Sequence, residues 1–238
     1  MRISFNQPIL YKSFISCNQI LLIVLFNSEG VDSMTLYSSI FERKELPVRI
    51  AYDEQLASYK IAETLTKFLP SINTSQPIVF VCIGTDRSTG DSLGPLIGTL
   101  LNDKNLTSFH VYGTLDEPIH ALNLEEKLQE IHEVHQNPFI IGIDACLGRM
   151  KSVGVIQIGD GPVKPGSGVK KELPPVGNIH ITGIVNISGF MEFLVLQNTR
   201  LSLVLKMAKI ISKGIYQASI RYIHSADYKE LNIKEEPV

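Results

Sequence analysis

From Asp53 onward the spacing of apolar residues switches repeatedly between helical and strand-like, and each switch marks an element. Ala57, Ile61, Leu65 and Phe68 fall at helical spacing, and Pro70 ends the run. Residues 77–84 form a short, continuous apolar run, which predicts a parallel strand buried on both faces. Residues 93–101 predict a helix that tolerates Pro95 because it lies in the first turn. Residues 109–112 read as a strand. Asn123 with Glu126 has the form of a capping box, and Leu124, Leu128, Ile131 and His135 continue it as a helical stripe. Residues 138–143 form another buried strand, expected to end at Asp144. Two more strands, 153–158 and 179–187, flank a Gly/Pro-rich loop at 159–177. In the last helix Leu201, Val204, Leu205, Ala208, Ile211 and Ile215 face one way, and Lys206, Lys209 and Lys213 the other. The polar stretch after Arg221 is expected to fray.

Strands that alternate with helices predict an α/β fold, with helices on both faces of a mostly parallel sheet. Such folds bind ligands beyond the carboxyl ends of their strands. We expect one domain over residues 34–222 and a polar tail over 223–238. Residues 1–33 are expected to be an over-extended or disordered start, because Met34 opens a more ordinary globular sequence. Their apolar segment, 20–26, is too short for a span of about 20 residues. No Ala-x-Ala-like cleavage site follows it.

Composition narrows the function classes. A net charge of -2 provides no broad basic surface, so nucleic acid is not an expected partner, and neither is a membrane. Three cysteines without C-x-x-C spacing argue against a disulfide framework or zinc site and for a reducing, cytoplasmic setting.

Two carboxylates carry the candidate chemistry. Asp91 lies in a glycine-bearing loop before a helix. That loop has five residues between Gly84 and Gly90, then Asp91 where a P-loop has Lys, so it is not a phosphate cradle. Asp91 also suits a helix N-cap. Asp144 closes an apolar strand, where an unpaired charge costs several kcal/mol. Two such acids at neighbouring strand ends can share a proton and activate water. Nearby Cys146 reads as a buried thiol, and Asp86 with Arg87 as a solvated pair. Ser88 or Ser92 with a histidine would make a serine triad, but no Gly-x-Ser-x-Gly elbow supports one. The loop at 165–177 is a surface loop that can close over a site and hold a peptide backbone, with Gly166, Ser167, Gly168 and Asn178 as the binding residues. No cofactor is expected. His180 reads as a hydrogen-bonded core residue, and the alternative is a divalent-metal set of Asp91, Asp144 and His180.

Three segments, in order, resemble the bacterial germination protease and, more closely, the shorter sporulation proteins of the YyaC type. They are Asp91-x-Leu93-Gly94-Pro95, Ile143-Asp144-Ala145, and Pro165-Gly166-Ser167-Gly168-Val169. The resemblance spans roughly residues 77–195. It implies a three-layer α/β/α sandwich shared with the hydrogenase-maturation endopeptidases. It also implies an aspartic-type peptidase of sporulation or germination, located in the forespore or spore interior, with small acid-soluble spore proteins as substrates and Asp91 and Asp144 as the catalytic pair. In the hydrogenase-maturation group the matching acids and a later histidine bind nickel. The alternatives are a metal-binding maturation endopeptidase and a non-catalytic sporulation protein that binds a partner through the same fold. A homo-oligomer is left open.

Overall fold

The computed structural model describes residues 46–233 apart from 72, 73, 75 and 167–172, and only the backbone from 225 onward. Residues 1–33, and with them the apolar segment 20–26, lie outside the described residues, as do Ser167 and Gly168. The elements in chain order are β1 (Val48–Ala51), α1 (Ala57–Phe68), β2 (Ile78–Cys82), α2 (Leu93–Asn102), β3 (Phe109–Tyr112), α3 (Leu124–Val134), β4 (Phe139–Gly148), β5 (Val155–Asp160), β6 (Ile179–Ile187), α4 (Glu192–Gln197) and α5 (Leu201–Ile233). The strands make one sheet in the order β1-β5-β6-β4-β2-β3. β3, β2, β4 and β6 pair in parallel, and β5 is antiparallel to both β1 and β6.

Every residue of β2 is buried, as its unbroken apolar run requires. Alternate side chains serve opposite faces. Phe80 and Cys82 pack with Ile61 of α1, Ile97 of α2 and Ile211 of α5. Val79 and Val81 pack with Leu124 and Ile131 of α3. The helices therefore cover both faces, and the expected three-layer α/β/α arrangement is present. Each fully buried Ile, Leu or Phe contributes roughly 1.5–3 kcal/mol, which is what holds the layers together. No helix among the described residues is long and apolar enough to cross a membrane.

The topology also fixes where a site can form. β3 lies on one side of β2 and β4 on the other. The connections that follow β2 therefore diverge, opening a crevice at the carboxyl ends of β2 and β4.

Several boundaries differ from the expectation. β4 does not end at Asp144. It continues to Gly148, because β6 pairs with it along that stretch after β2 has left the ladder. The edge strand β1 was too short to register as a pattern, and so was α4. Helix α5 runs on to Ile233 instead of fraying after Arg221, since no Pro or Gly lies between Arg221 and Ile233. Asn123 does not form a capping box. Its Oδ1 instead accepts the His120 N–H at 2.8 Å, and its Nδ2 donates to the Pro118 carbonyl at 3.0 Å.

The loop between β5 and β6 is closed at its base by a two-way backbone bridge between Val163 and Val176, each bond 2.9 Å long. This base lies directly on β4 at Gly142, where a Cβ would meet Val163 Cγ1 and the Val176 carbonyl at 2.6 Å. Glycine is thus needed two residues before Asp144 to seat the loop. Gly142→Ala should lower stability by roughly 1–3 kcal/mol, the usual cost of overpacking. Gly189→Ala, which has nothing within 4 Å of the added carbon, should change it by less than about 0.5 kcal/mol. Urea midpoints of the two variants check this, and equal midpoints would contradict the packing described.

Candidate active site

Three strand ends supply the site. Ile83 continues β2 by one residue, its N–H donating to the Ile143 carbonyl at 2.7 Å. Gly84 then turns away at φ 142°, with its N–H on the Ile119 carbonyl at 2.7 Å. A side chain at Gly84 would collide with the Asp91 carbonyl oxygen, so only glycine lets the loop fold back here. The Thr85 N–H closes that loop onto the same Asp91 oxygen at 3.2 Å, and the Gly90 N–H ties it to Leu196 of α4 at 2.9 Å. Asp91 is therefore held by its own loop and by α4. Helix α2 has no side-chain cap, so the Asp91 carboxyl is not spent on capping it.

Asp144 points from β4 into the same crevice and is only 8% exposed. Its Oδ1 accepts the Ala145 N–H at 2.8 Å. Both carboxylates line one cavity of about 460 Å3. Pro165, Gly166 and Leu173 of the loop wall it on one side, and Phe193, Leu196 and Gln197 of α4 on another. A second, more open hollow of about 560 Å3 beside Asn186 and Phe190 has no titratable lining residue.

Burial disfavours the charged form of each acid, but unequally. Asp144 is pushed well above the ordinary carboxylate range, first by burial and then by the charge of Asp91, against the single opposing Ala145 N–H. Asp91 is raised by burial, while a backbone hydrogen bond from Thr85 and the charge of His120 pull it down. The charge of Asp91 thus reaches the Asp144 carboxyl.

The other expected residues are distributed differently. Gly166 is in the cavity wall, but Asn178 is at the amino end of β6, where its Oδ1 accepts the Ile140 N–H at 2.8 Å and pins the loop. His180 pairs in register with Gly142, two positions before Asp144, and its Nδ1 meets the Gly161 carbonyl at 2.9 Å. It is a loop anchor, and the Asp91, Asp144, His180 metal set is not assembled. Among the described residues no group of three or more His, Cys, Asp or Glu could hold a metal ion. Burial pushes the Cys146 thiol up to about 11, too high for a thiolate nucleophile at neutral pH. Asp86 and Arg87 are both exposed, and Arg87 reaches the cavity rim. Ser92 Oγ donates to the Thr89 carbonyl at 2.7 Å.

The sequence reading missed His120. It follows Ile119, which bridges to Ile83, and so it stands at the same carboxyl edge as Asp91 and Asp144 and lines their cavity. Its Nδ1 and Ser88 Oγ are both buried without a partner. No hydrogen bond joins them, so Ser88 is not an activated serine. The only sequence signal was the position of His120 just beyond β3, in a connection whose inward turn depends on Asn123.

A family model described as "Protein of unknown function (DUF1256)" matches residues 49–214. The "Uncharacterized protein YyaC" of Bacillus subtilis (strain 168) is 57% identical over 166 residues, covering 70% of this chain and 80% of that protein. The crystal structure of a NiFe hydrogenase maturation protease, HycI from Thermococcus kodakarensis KOD1, is 17% identical, with a TM-score of 0.42 over 61% of this chain and 93% of that one. This last likeness is partial and carries nothing about function.

The raised Asp144 has a consequence for stability. The folded protein holds its proton to higher pH than the unfolded chain, so stability falls as pH rises from the ordinary carboxylate pKa of about 4 toward the folded value. Asp144→Asn removes this penalty. Melting curves should show the variant more stable than the wild type at pH 7. The gain should shrink to nothing below about pH 4. A variant that is less stable at pH 7 would show that the carboxylate is a favourable structural partner.

Proposed function

The chain belongs to the DUF1256 family, and from that premise we propose that it is a peptidase-like hydrolase working through the carboxylates of Asp91 and Asp144. One observation carries the reading. Two acids share a cavity, one of them almost fully buried, and among the described residues neither forms a salt bridge with a Lys or Arg. Folding gains nothing from that arrangement, because burying a lone carboxylate costs several kcal/mol. Its chemical use is clear. A pair that holds one proton has a base for water and an acid for a carbonyl oxygen in the same place.

In peptide hydrolysis the ionised carboxyl takes a proton from water as the water oxygen bonds to the carbonyl carbon. The protonated carboxyl gives its proton to the carbonyl oxygen. The resulting diol collapses, the C–N bond breaks, and the leaving nitrogen takes the proton first removed from water. The diol's second proton restores the pair. The cavity wall favours an extended chain as substrate. Leu122 is 90% exposed and Phe193 58% exposed, both on the lining, and they offer apolar contact to side chains of an unfolded peptide. The resemblance to the germination protease suggests a role in sporulation or germination, with small acid-soluble spore proteins as the first substrates to test.

The test is cleavage of labelled casein, an unfolded polypeptide, and of an acid-soluble spore protein. Asp91→Asn and Asp144→Asn should each lose at least about 100-fold in rate while retaining the wild-type circular dichroism spectrum. Wild-type rates in both folded variants would remove the pair from the mechanism. If the wild type cleaves neither substrate, the non-catalytic, partner-binding alternative holds.

A further inference from the structure

We propose that His120 is a positioning residue of this site: its imidazole faces the carboxylate pair and fixes Asp91 as the ionised member, leaving the shared proton on Asp144. This rests on the peptidase reading for its use, but its electrostatic content can be tested without turnover.

Three observations carry it. The first is placement. Ile119 pairs with Ile83, so the chain delivers His120 to the carboxyl edge of the sheet, where it lines the cavity that holds Asp91 and Asp144. The second is rigidity. Asn123 clamps the turn from both sides, accepting the His120 N–H and donating to the Pro118 carbonyl, while the His120 carbonyl accepts the N–H groups of Asn123 and Leu124. The side chain that would otherwise cap α3 is spent on holding this histidine. The third is an orphaned atom. His120 Nδ1 is buried without a partner. Buried polar atoms are nearly always satisfied, and one without a protein partner on a residue beside two acids is where a proton or an ordered water completes the bonding.

The asymmetry of the pair follows. Asp91 is half-buried and feels the charge of His120, whereas Asp144 is almost fully buried and feels only the repulsion of Asp91. Among the described residues the other charged group on the lining is Arg87, from the Asp91 loop. α4 contributes neutral Gln197, and the described wall residues of the long loop carry no charge. Beyond the cavity, Cys146 and Arg49 lie on the Asp144 side. Of the groups near the pair, His120 is the one whose charge favours the carboxylate form of Asp91, so removing it should shift that acid in one direction.

The experiment is a titration of the full chain with 13C-labelled aspartate carboxyls, comparing wild type, His120→Gln and His120→Ala, with Asp91→Asn to assign the signal. The midpoint of Asp91 should move to higher pH in both His120 variants, while far-UV circular dichroism stays unchanged. If the protein cleaves peptide, the acid limb of kcat/KM should move by the same amount and kcat should fall more than KM rises. An unmoved Asp91 midpoint in two folded variants overturns the proposal whether or not the protein is a peptidase. If the wild type is inactive but the midpoint moves as expected, the coupling stands and the peptidase reading alone falls.

Discussion

Everything at this site depends on one costly placement, a carboxylate inside the ladder of a central strand. Asp144 is not on a loop that can swing into water. Its backbone is paired with Thr182 of β6, and the residue before it is still paired with β2. The side chain must point into the crevice, and burial makes its charge expensive. A group held this way titrates high, and a second acid delivered nearby makes the first ionisation harder still. The fold therefore sets the proton balance before any substrate arrives.

The surrounding architecture serves to bring other segments to that fixed point. With β3 and β4 on opposite sides of β2, the connections that follow β2 diverge and open the crevice. Gly84 lets the Asp91 loop fold back against the sheet, and Gly142 lets the base of the long loop rest on β4. Helix α4 is short and buries none of its residues, yet it holds Gly90 by a backbone bond and presents Phe193 and Leu196 to the cavity. The β3–α3 connection is held by the Asn123 side chain, by Thr99 Oγ1, which accepts the Leu115 N–H, and by the Ile119 carbonyl, which accepts the Gly84 N–H. Each wall is positioned by local bonds, and each lies where the parallel strands end.

The parts of this arrangement legible in the sequence are those with a strong period. The unbroken run of β2 and the helical stripe of α1 were evident because many apolar residues repeat one spacing. Asp144 stood out because ordinary structural duty explains an acid closing an apolar strand poorly, whereas Asp91 also suited a helix N-cap. Other features depend on long-range partners and leave no local trace. β4 continues past Asp144 because β6 is beside it, and β1 exists because β5 offers an edge. Asn178 was expected to hold substrate but is bonded to the backbone of Ile140, and His180 is hydrogen-bonded, as its preferred reading had it, to the Gly161 carbonyl. His120 went unnoticed for the opposite reason: a lone histidine between Ile119 and Ala121 has no pattern, and only the sheet brings it to the acids.

The central claim is that Asp91 and Asp144 share their protons as one unit, and titration of the Asp144 carboxyl in wild-type protein and in Asp91→Asn tests it most directly. With the neighbouring charge removed, Asp144 should titrate at lower pH than in the wild type, yet stay above the ordinary carboxylate value of about 4 because burial persists. An Asp144 midpoint identical in the two proteins would mean that the acids do not interact, and the paired site would be two separate carboxylates.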